Sequence, residues 1–366
     1  MRGVTGLSGL KALAVHAGPR AREHLRQHGL RAADVRVVPA AAGGPKGLAL
    51  VPLDRFLFAH WLRGVSHTVH LLGASIGAWR MAAACAADPD AALACLAEDY
   101  ITQSYPHAPG KPPTPRVVTQ VFRSTLEDRL GRHAAVLLAH PRFRLHVFTS
   151  RGRRLLHRPG RVKMPLGWMA AFAANAASRS ALGGWMERVV FSDPREALPV
   201  PLSDFPTRQV PLTCGNLSSA VLASCTIPFW LEAVQDVPGG PAGTYFDGGI
   251  TDYHLHLPYA AMTQGLVLYP HFGPQVVPGW LDKAWKHRHR ASPALANMVL
   301  LSPRPEWVRS LPGGKLPDRG DFKRHGDDHA GRQRLWRGAL AESQRLADEF
   351  AALVRDGRPF DAQPLV

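Results

Sequence analysis

The chain has 366 residues, 46% of them hydrophobic, which is enough to bury a large core and too apolar for global disorder. Lys and Arg number 44 against 28 acidic residues, a formal charge of +16 that suits an anionic partner, either a lipid surface or a nucleic acid. Four isolated cysteines, Cys85, Cys95, Cys214 and Cys225, imply no disulfide framework and no paired-cysteine zinc or redox site, and read as reduced, buried small hydrophobes.

In chain order, the first residues lack the charged-then-apolar build of a secretory signal. Residues 1–34 read as a helical lead-in, with a short polar helix over 16–31. "VRVVPA" at 35–40 alternates and is β-branched, which predicts a strand. "AGGPKG" follows it, and the apolar spacing of 48–64 predicts a helix. "HTVHLL" at 67–72 predicts a second strand, "GASIG" at 73–77 a sharp turn, and "AWRMAAACAA" at 78–87 a strong helix. That rhythm belongs to an α/β fold with a mainly parallel sheet covered on both faces.

Residues 104–116 are proline-rich and predict a loop. Further strands are expected over 143–150, 188–193, 243–249 and 264–270. The longest nearly apolar stretch, 164–178, holds Pro165, Gly167 and Asn175 and is too short and broken to span a bilayer. Its Trp168, Met169 and Phe172 are expected to pack in the core rather than to dock at a lipid interface. From 329 onward a single amphipathic helix is expected through Leu335, Ala339, Leu346, Phe350 and Leu353. The basic clusters at 151–158 and 283–290 lie in no nucleic-acid signature, and an Ala-, Arg-, Gly- and Pro-rich composition also spreads such charge thinly. No specific nucleic acid is expected.

Three short motifs bear on chemistry. Gly73 and Gly77 bracket Ser75 at a strand end, where a tight turn holds a serine hydroxyl above the sheet. Gly43 and Gly44 end the preceding strand and can aim adjacent backbone N–H groups at a developing oxyanion, with Pro45 opening the next helix. A phosphate-loop reading of this stretch fails, because it requires a longer glycine spacing and a Lys-Ser or Lys-Thr ending. Asp247, followed by Gly248 and Gly249, presents a carboxylate after a strand. A helix within 218–234 stops at Pro228.

Together these motifs resemble the patatin-like phospholipases, lipid acyl hydrolases that work with a Ser-Asp dyad. The family's oxyanion loop is matched by Gly43, Gly44, Pro45, Lys46 and Gly47, and its elbow by Gly73, Ser75 and Gly77. Its small-residue helix ending is matched by Ala223, Ser224, Ile227 and Pro228, and its Asp-Gly-Gly motif by Asp247, Gly248 and Gly249. The resemblance spans residues 35–258; Ala41 and Ala42 depart from it, standing where the family has an acidic residue or glycine and the first glycine of the run.

The resemblance implies a three-layer α/β/α fold with the serine on a strand-to-helix elbow. It also implies a catalytic domain over 35–270; residues 271–366, which the resemblance does not reach, are expected to pack on the same domain as an extension. In that scheme Ser75 attacks a carboxylic ester, Asp247 takes its proton, and Gly43 and Gly44 hold the oxyanion. Lys46 sets the local field or holds the loop, or else lies solvated at a helix start. No cofactor and no metal is expected. The partners expected are a phospholipid or other lipid ester, an anionic membrane surface and, left open, an activator. The place expected is the cytoplasm, at the membrane periphery.

Two rivals stand beside this reading. Asp252, His254 and His256 in "DYHLH" share one side of an extended segment, so a histidine there could complete a Ser-His-Asp triad of an esterase or thioesterase, or the group could hold a metal. "HGDDH" at 325–329 could ligate a metal too, although Asp327 or Asp328 also suits a helix cap. The other rival is a basic lipid- or nucleic-acid-binding protein with a decayed hydrolase site.

Overall fold

The computed structural model describes residues 10–108 and 111–366. Its strands are β1 (Leu13–Ala17), β2 (Val35–Ala40), β3 (Val69–Ala74), β4 (Phe143–Gly152), β5 (Met186–Ser192), β6 (Thr207–Pro211), β7 (Val234–Gln235), β8 (Thr244–Phe246), β9 (Leu266–Pro270), β10 (Met298–Pro303) and β11 (Gln363–Pro364). They form one sheet in the order β11-β1-β10-β9-β2-β3-β4-β5-β6, with β8 on the end of β4 and β7 beside it. The run β10-β9-β2-β3-β4 is parallel. The protein is therefore mixed α/β, with a mostly parallel central sheet flanked by helices.

Both faces of that sheet are buried, as its continuous apolar strands require. Val38, Leu71, Val147, Leu268 and Leu301 point into one core with Leu25, Leu53, Met81, Leu96, Val221 and Phe350 from the helices. Their neighbours Val37, Leu72, Phe148, Val267 and Leu300 enter a second core, closed by Tyr253, Leu255, Tyr259, Val276 and Leu295. The alternation is the two-residue period of a strand read in cross-section.

Several elements differ from their sequence expectation. Residues 1–34 hold β1 as well as the helix Pro19–His28, and β1 pairs antiparallel with β10. The single helix expected over 48–64 is three pieces: a tight turn of helix at Gly44–Leu50, the α-helix Val51–Phe56 and a wider turn at Leu57–Trp61. The C-terminal helix is two, His329–Glu342 and Gln344–Val354, parted where the Ser343 hydroxyl donates to the Ala339 carbonyl at 2.7 Å. Asp328 does cap the first of them, accepting the Gly331 N–H at 2.8 Å. The helix Lys163–Ala177 leaves Met169 62% and Phe172 46% exposed, against the core packing expected of them, while Trp168 packs edge-on against Phe246 at 5.0 Å. Cys85 and Cys225 are buried, but Cys95 and Cys214 are exposed.

Candidate active site

The parallel register brings the motifs to one end of the sheet. Ala40 of β2 pairs with Gly73 of β3, so the loop after β2 and the turn after β3 leave side by side. Ala74 pairs with Phe148 of β4, and further along the same strand Ser150 pairs with Phe246 of β8. Ser75 follows Ala74 and Asp247 follows Phe246, so β4 sets the spacing of the two side chains.

Ser75 has φ 57° and ψ −129°, a left-handed position that a β-carbon strains, and the helix Ile76–Ala84 starts directly after it. The two flanking glycines answer to close packing. A β-carbon on Gly73 would fall 2.4 Å from the Ala78 Cα, and one on Gly77 would fall 2.0 Å from the Ala40 carbonyl oxygen. The turn is pinned from below by Ser224, at the end of the helix Leu217–Cys225. Its hydroxyl accepts the Ser75 N–H at 2.9 Å and donates to the Phe148 carbonyl at 2.7 Å, while its own carbonyl accepts the Gly248 N–H at 3.0 Å. Ser224 thus ties the elbow, β4 and the aspartate turn together. The motif that contains it was legible in the sequence; its positioning role was not.

The Ser75 hydroxyl donates directly to Asp247 Oδ2 at 2.6 Å, and the Gly249 N–H donates to Oδ1 at 2.7 Å. The Asp247 backbone is fixed as well, its N–H on the Thr226 carbonyl at 2.7 Å and its carbonyl on the Ser150 hydroxyl at 2.9 Å. Burial pushes the Asp247 carboxyl above its usual range. The Ser75 hydroxyl, the positive charge of Arg319, the Gly249 N–H and the charge of Lys283 pull it back only in part.

Gly43 is extended and lies against the ring of Phe272, where a β-carbon would fall 2.4 Å from Cε1. Gly44 has φ 57° and opens the turn of helix that Pro45 continues. Neither amide donates to another group among the described residues. The Ala42 N–H, by contrast, is bonded to the Tyr253 carbonyl at 2.9 Å, which holds the loop where the two departures from the motif stand. Lys46 is half-buried with its ammonium 5.3 Å from the Phe272 ring centre, and burial lowers its pKa; it is not a solvated helix-start lysine. Gly47 packs by Ile76 and Arg80. Arg80, on the elbow helix itself, is held by buried Asp54 at 2.6 and 2.9 Å.

Gly44, Ser75 and Ile76 reach a cavity of about 770 Å³. Its walls are mainly apolar or aromatic, with Trp79, Tyr100, Phe122, Ile227, Leu231 and Phe322 among them, and Gln103, Asp327 and Arg332 also line it. Phe229 and Trp230 also line it while remaining 68% and 61% exposed, with Lys111 and Lys323 nearby in the lining. The long apolar wall was not foreseen, since its residues come from five separate stretches of chain.

The "DYHLH" residues go elsewhere. Asp252 is held by Arg188 at 2.5 and 2.8 Å, His254 Nδ1 lies 3.0 Å from the Gln275 carbonyl, and His256 Nε2 lies 3.0 Å from the Ser292 hydroxyl. None of the three bonds to Ser75 or Asp247. Among the described residues no group of three or more His, Cys, Asp or Glu side chains is placed to hold a metal ion, and no helix is long and apolar enough to cross a membrane.

No protein-family model matches the chain, and no curated protein matches it. Among solved structures it is similar to VipD from Legionella pneumophila, with 12% sequence identity and a TM-score of 0.33 over 86% of this chain and 67% of that one.

Proposed function

We propose that the protein is a lipid acyl hydrolase in which Ser75 is the nucleophile and Asp247 the base. One observation carries the reading. A serine on a strained turn, at the wall of an apolar cavity, donates at 2.6 Å to a buried carboxylate whose pKa is raised, with no imidazole between them. A raised pKa makes the carboxylate a better base for a hydroxyl than a free aspartate, because proton affinity rises with it.

The chemistry follows from that pair. An ester lies with its acyl chain along Trp79, Phe122, Ile227 and Phe322 and its carbonyl carbon over Ser75 Oγ. Oγ attacks, its proton passes to Asp247 Oδ2, and the negative charge moves to the carbonyl oxygen, met by the amides of Gly43 and Gly44. Collapse of the tetrahedral adduct breaks the ester C–O bond, and Asp247 returns its proton to the leaving alcohol oxygen. A water then repeats the sequence on the acyl-serine, giving a fatty acid and free Ser75. The exposed Phe229 and Trp230 beside Lys111 and Lys323 suit the edge of an anionic phospholipid surface, where rings enter the interface and cations meet phosphates.

The resemblance to the patatin-like phospholipases supports the same assignment, residue by residue, at Ser75, Asp247 and the glycine loop. The test is labelling with an uncharged fluorophosphonate, followed by peptide mass mapping. Modification of Ser75, absent in Ser75→Ala, is the expected result; an unlabelled Ser75 sinks the proposal.

A further inference from the structure

Arg319 stands in the segment "PDRGD", between two aspartates, and pairs with neither. Lys315 takes both of them, at 2.7 Å to Asp318 and 2.8 Å to Asp321. Asp321 is buried and also accepts from the Trp336 indole at 3.0 Å and from the Asp318 N–H at 3.0 Å, while Asp318 accepts the Gly320 N–H at 2.7 Å. The loop around Arg319 is therefore internally satisfied, and the guanidinium is left over: among the described residues it makes no hydrogen bond and no ion pair. The buried arginines all have protein partners: Arg80 is held by Asp54, Arg188 by Asp252 and Asp204, and Arg332 donates to the Gln103 carbonyl at 2.6 Å. A half-buried guanidinium with no protein partner is available to a negative charge that arises beside it.

Its position says where that charge arises. Arg319 lines the same cavity as Ser75 and Gly44. Its Nε stands 3.1 Å, and its Nη2 3.5 Å, from the point where a β-carbon on Gly44 would lie. The guanidinium is thus laid against the one residue of the glycine loop that faces the cavity with an undonated amide. We propose that Arg319 is a catalytic residue of the reaction put forward above, a charged donor to the oxyanion that forms when Ser75 attacks, delivered by the C-terminal segment. The proposal rests on the Ser75–Asp247 reading and adds to it a third donor, a planar fork that two glycine amides cannot replace. Its field already reaches the pair, since it is among the charges that lower the Asp247 carboxyl and the phenols of Tyr100 and Tyr253. The same arrangement gives residues beyond 271 a part in the chemistry rather than in packing alone.

The experiment compares wild type, Arg319→Ala and Arg319→Lys on a neutral nitrophenyl butyrate, with Ser75→Ala as the blank. Arg319→Ala is expected to fold normally, because the side chain has no intramolecular bond to lose, and circular dichroism and a thermal melt check that. Its kcat is expected to fall about a hundredfold with KM changed by less than about threefold, the signature of a donor felt in the transition state alone. Arg319→Lys is expected to fall between the two, and the rate of fluorophosphonate labelling to drop in parallel with kcat. The acid limb of the alanine variant's rate profile is expected to move to higher pH, since removing the positive charge lets the Asp247 pKa rise further. A folded Arg319→Ala with wild-type kcat on the neutral ester overturns the proposal. So does a loss confined to the KM for phospholipids, which would place the guanidinium on a substrate phosphate instead. Ester turnover that survives in Ser75→Ala overturns the dyad reading itself, a different outcome from either.

Discussion

Asp247 and Asp252 lie at the two ends of one short turn, and both are buried. Asp252 meets a guanidinium in two parallel hydrogen bonds, with the Thr251 hydroxyl donating at 2.8 Å besides. Asp247 meets a serine hydroxyl and one backbone amide, with no cation in contact. Burial raises the cost of ionising any carboxyl, and a fork-to-fork arginine offsets part of that cost. The Asp252 end is consequently fastened to Arg188 on β5, which also holds Asp204 at 2.8 and 3.0 Å. The Asp247 end keeps a carboxylate that can still take a proton. Two aspartates of like burial thus differ in what they meet: Asp252 faces a cation, Asp247 a hydroxyl.

The comparison breaks first, and hardest, on activity. Ser75→Ala and Asp247→Asn are each expected to lower turnover of a short nitrophenyl ester by about a thousandfold or more, the scale on which loss of a nucleophile or its base is felt. His254→Ala and His256→Ala, checked for folding by circular dichroism, are expected to retain most of it. A folded histidine variant as inactive as Ser75→Ala would make the site a triad and dissolve the contrast.

On stability the order reverses. Arg188→Met leaves Asp204 without its cation and Asp252 with only Arg179 at 3.6 Å, and breaking a buried pair in this way is expected to cost about 3–5 kcal/mol in urea unfolding. The double variant Arg188→Met with Asp252→Leu is expected to recover much of that, because no uncompensated charge stays at the Asp252 position. Asp54→Ala beneath the elbow, which strands Arg80, is expected to cost a similar amount. Equal stability of Arg188→Met and wild type would show that Asp252 is not the anchored member of the two.

How much of this could be read beforehand follows the range of the interactions. The elbow, the glycine loop and Asp247 were legible because each is a local pattern tied to a strand end, and β2 was found to the residue at 35–40. β1 escaped because "LAVHA" is short and holds a histidine, His16, and β10 because "MVLLSP" is an apolar run that periodicity cannot assign. Both lie near the chain ends and become strands by pairing with each other across almost the whole sequence. Asp252 was read within a possible metal group since nothing local announces that Arg188, far off in sequence, will claim it. Nothing local marks Arg319 either: that Lys315 and Trp336 take the aspartates beside it shows only in the folded chain.

Asp247 should also set the acid limb of the reaction. The base works only when ionised, so kcat/KM is expected to fall as pH drops through a pKa above the ordinary carboxylate range. A limb at or below that range, seen in a pH–rate profile on the neutral ester, would mean that the carboxyl is not the desolvated base described here.

The smallest expected effect is the most direct measure of the difference between the two ends. Because the folded-state pKa of Asp247 is raised, the native protein holds on to a proton that the unfolded chain releases. Stability is unaffected below the ordinary carboxylate range, declines as pH rises from there to the raised value, and stays lowered above it. Asp247→Asn removes the charge and keeps an acceptor for the Ser75 hydroxyl. It is therefore expected to be more stable than wild type at neutral pH, on the order of 1 kcal/mol as for other substitutions that trade activity for stability. That advantage should vanish on acidification, where both side chains are neutral. Asp252→Asn should show the opposite sign at neutral pH, since it gives up a charge that Arg188 was stabilising. Paired urea titrations of the two variants across the acid range decide the matter: two curves displaced in the same direction would mean that the partners, and not only the positions, had been misread.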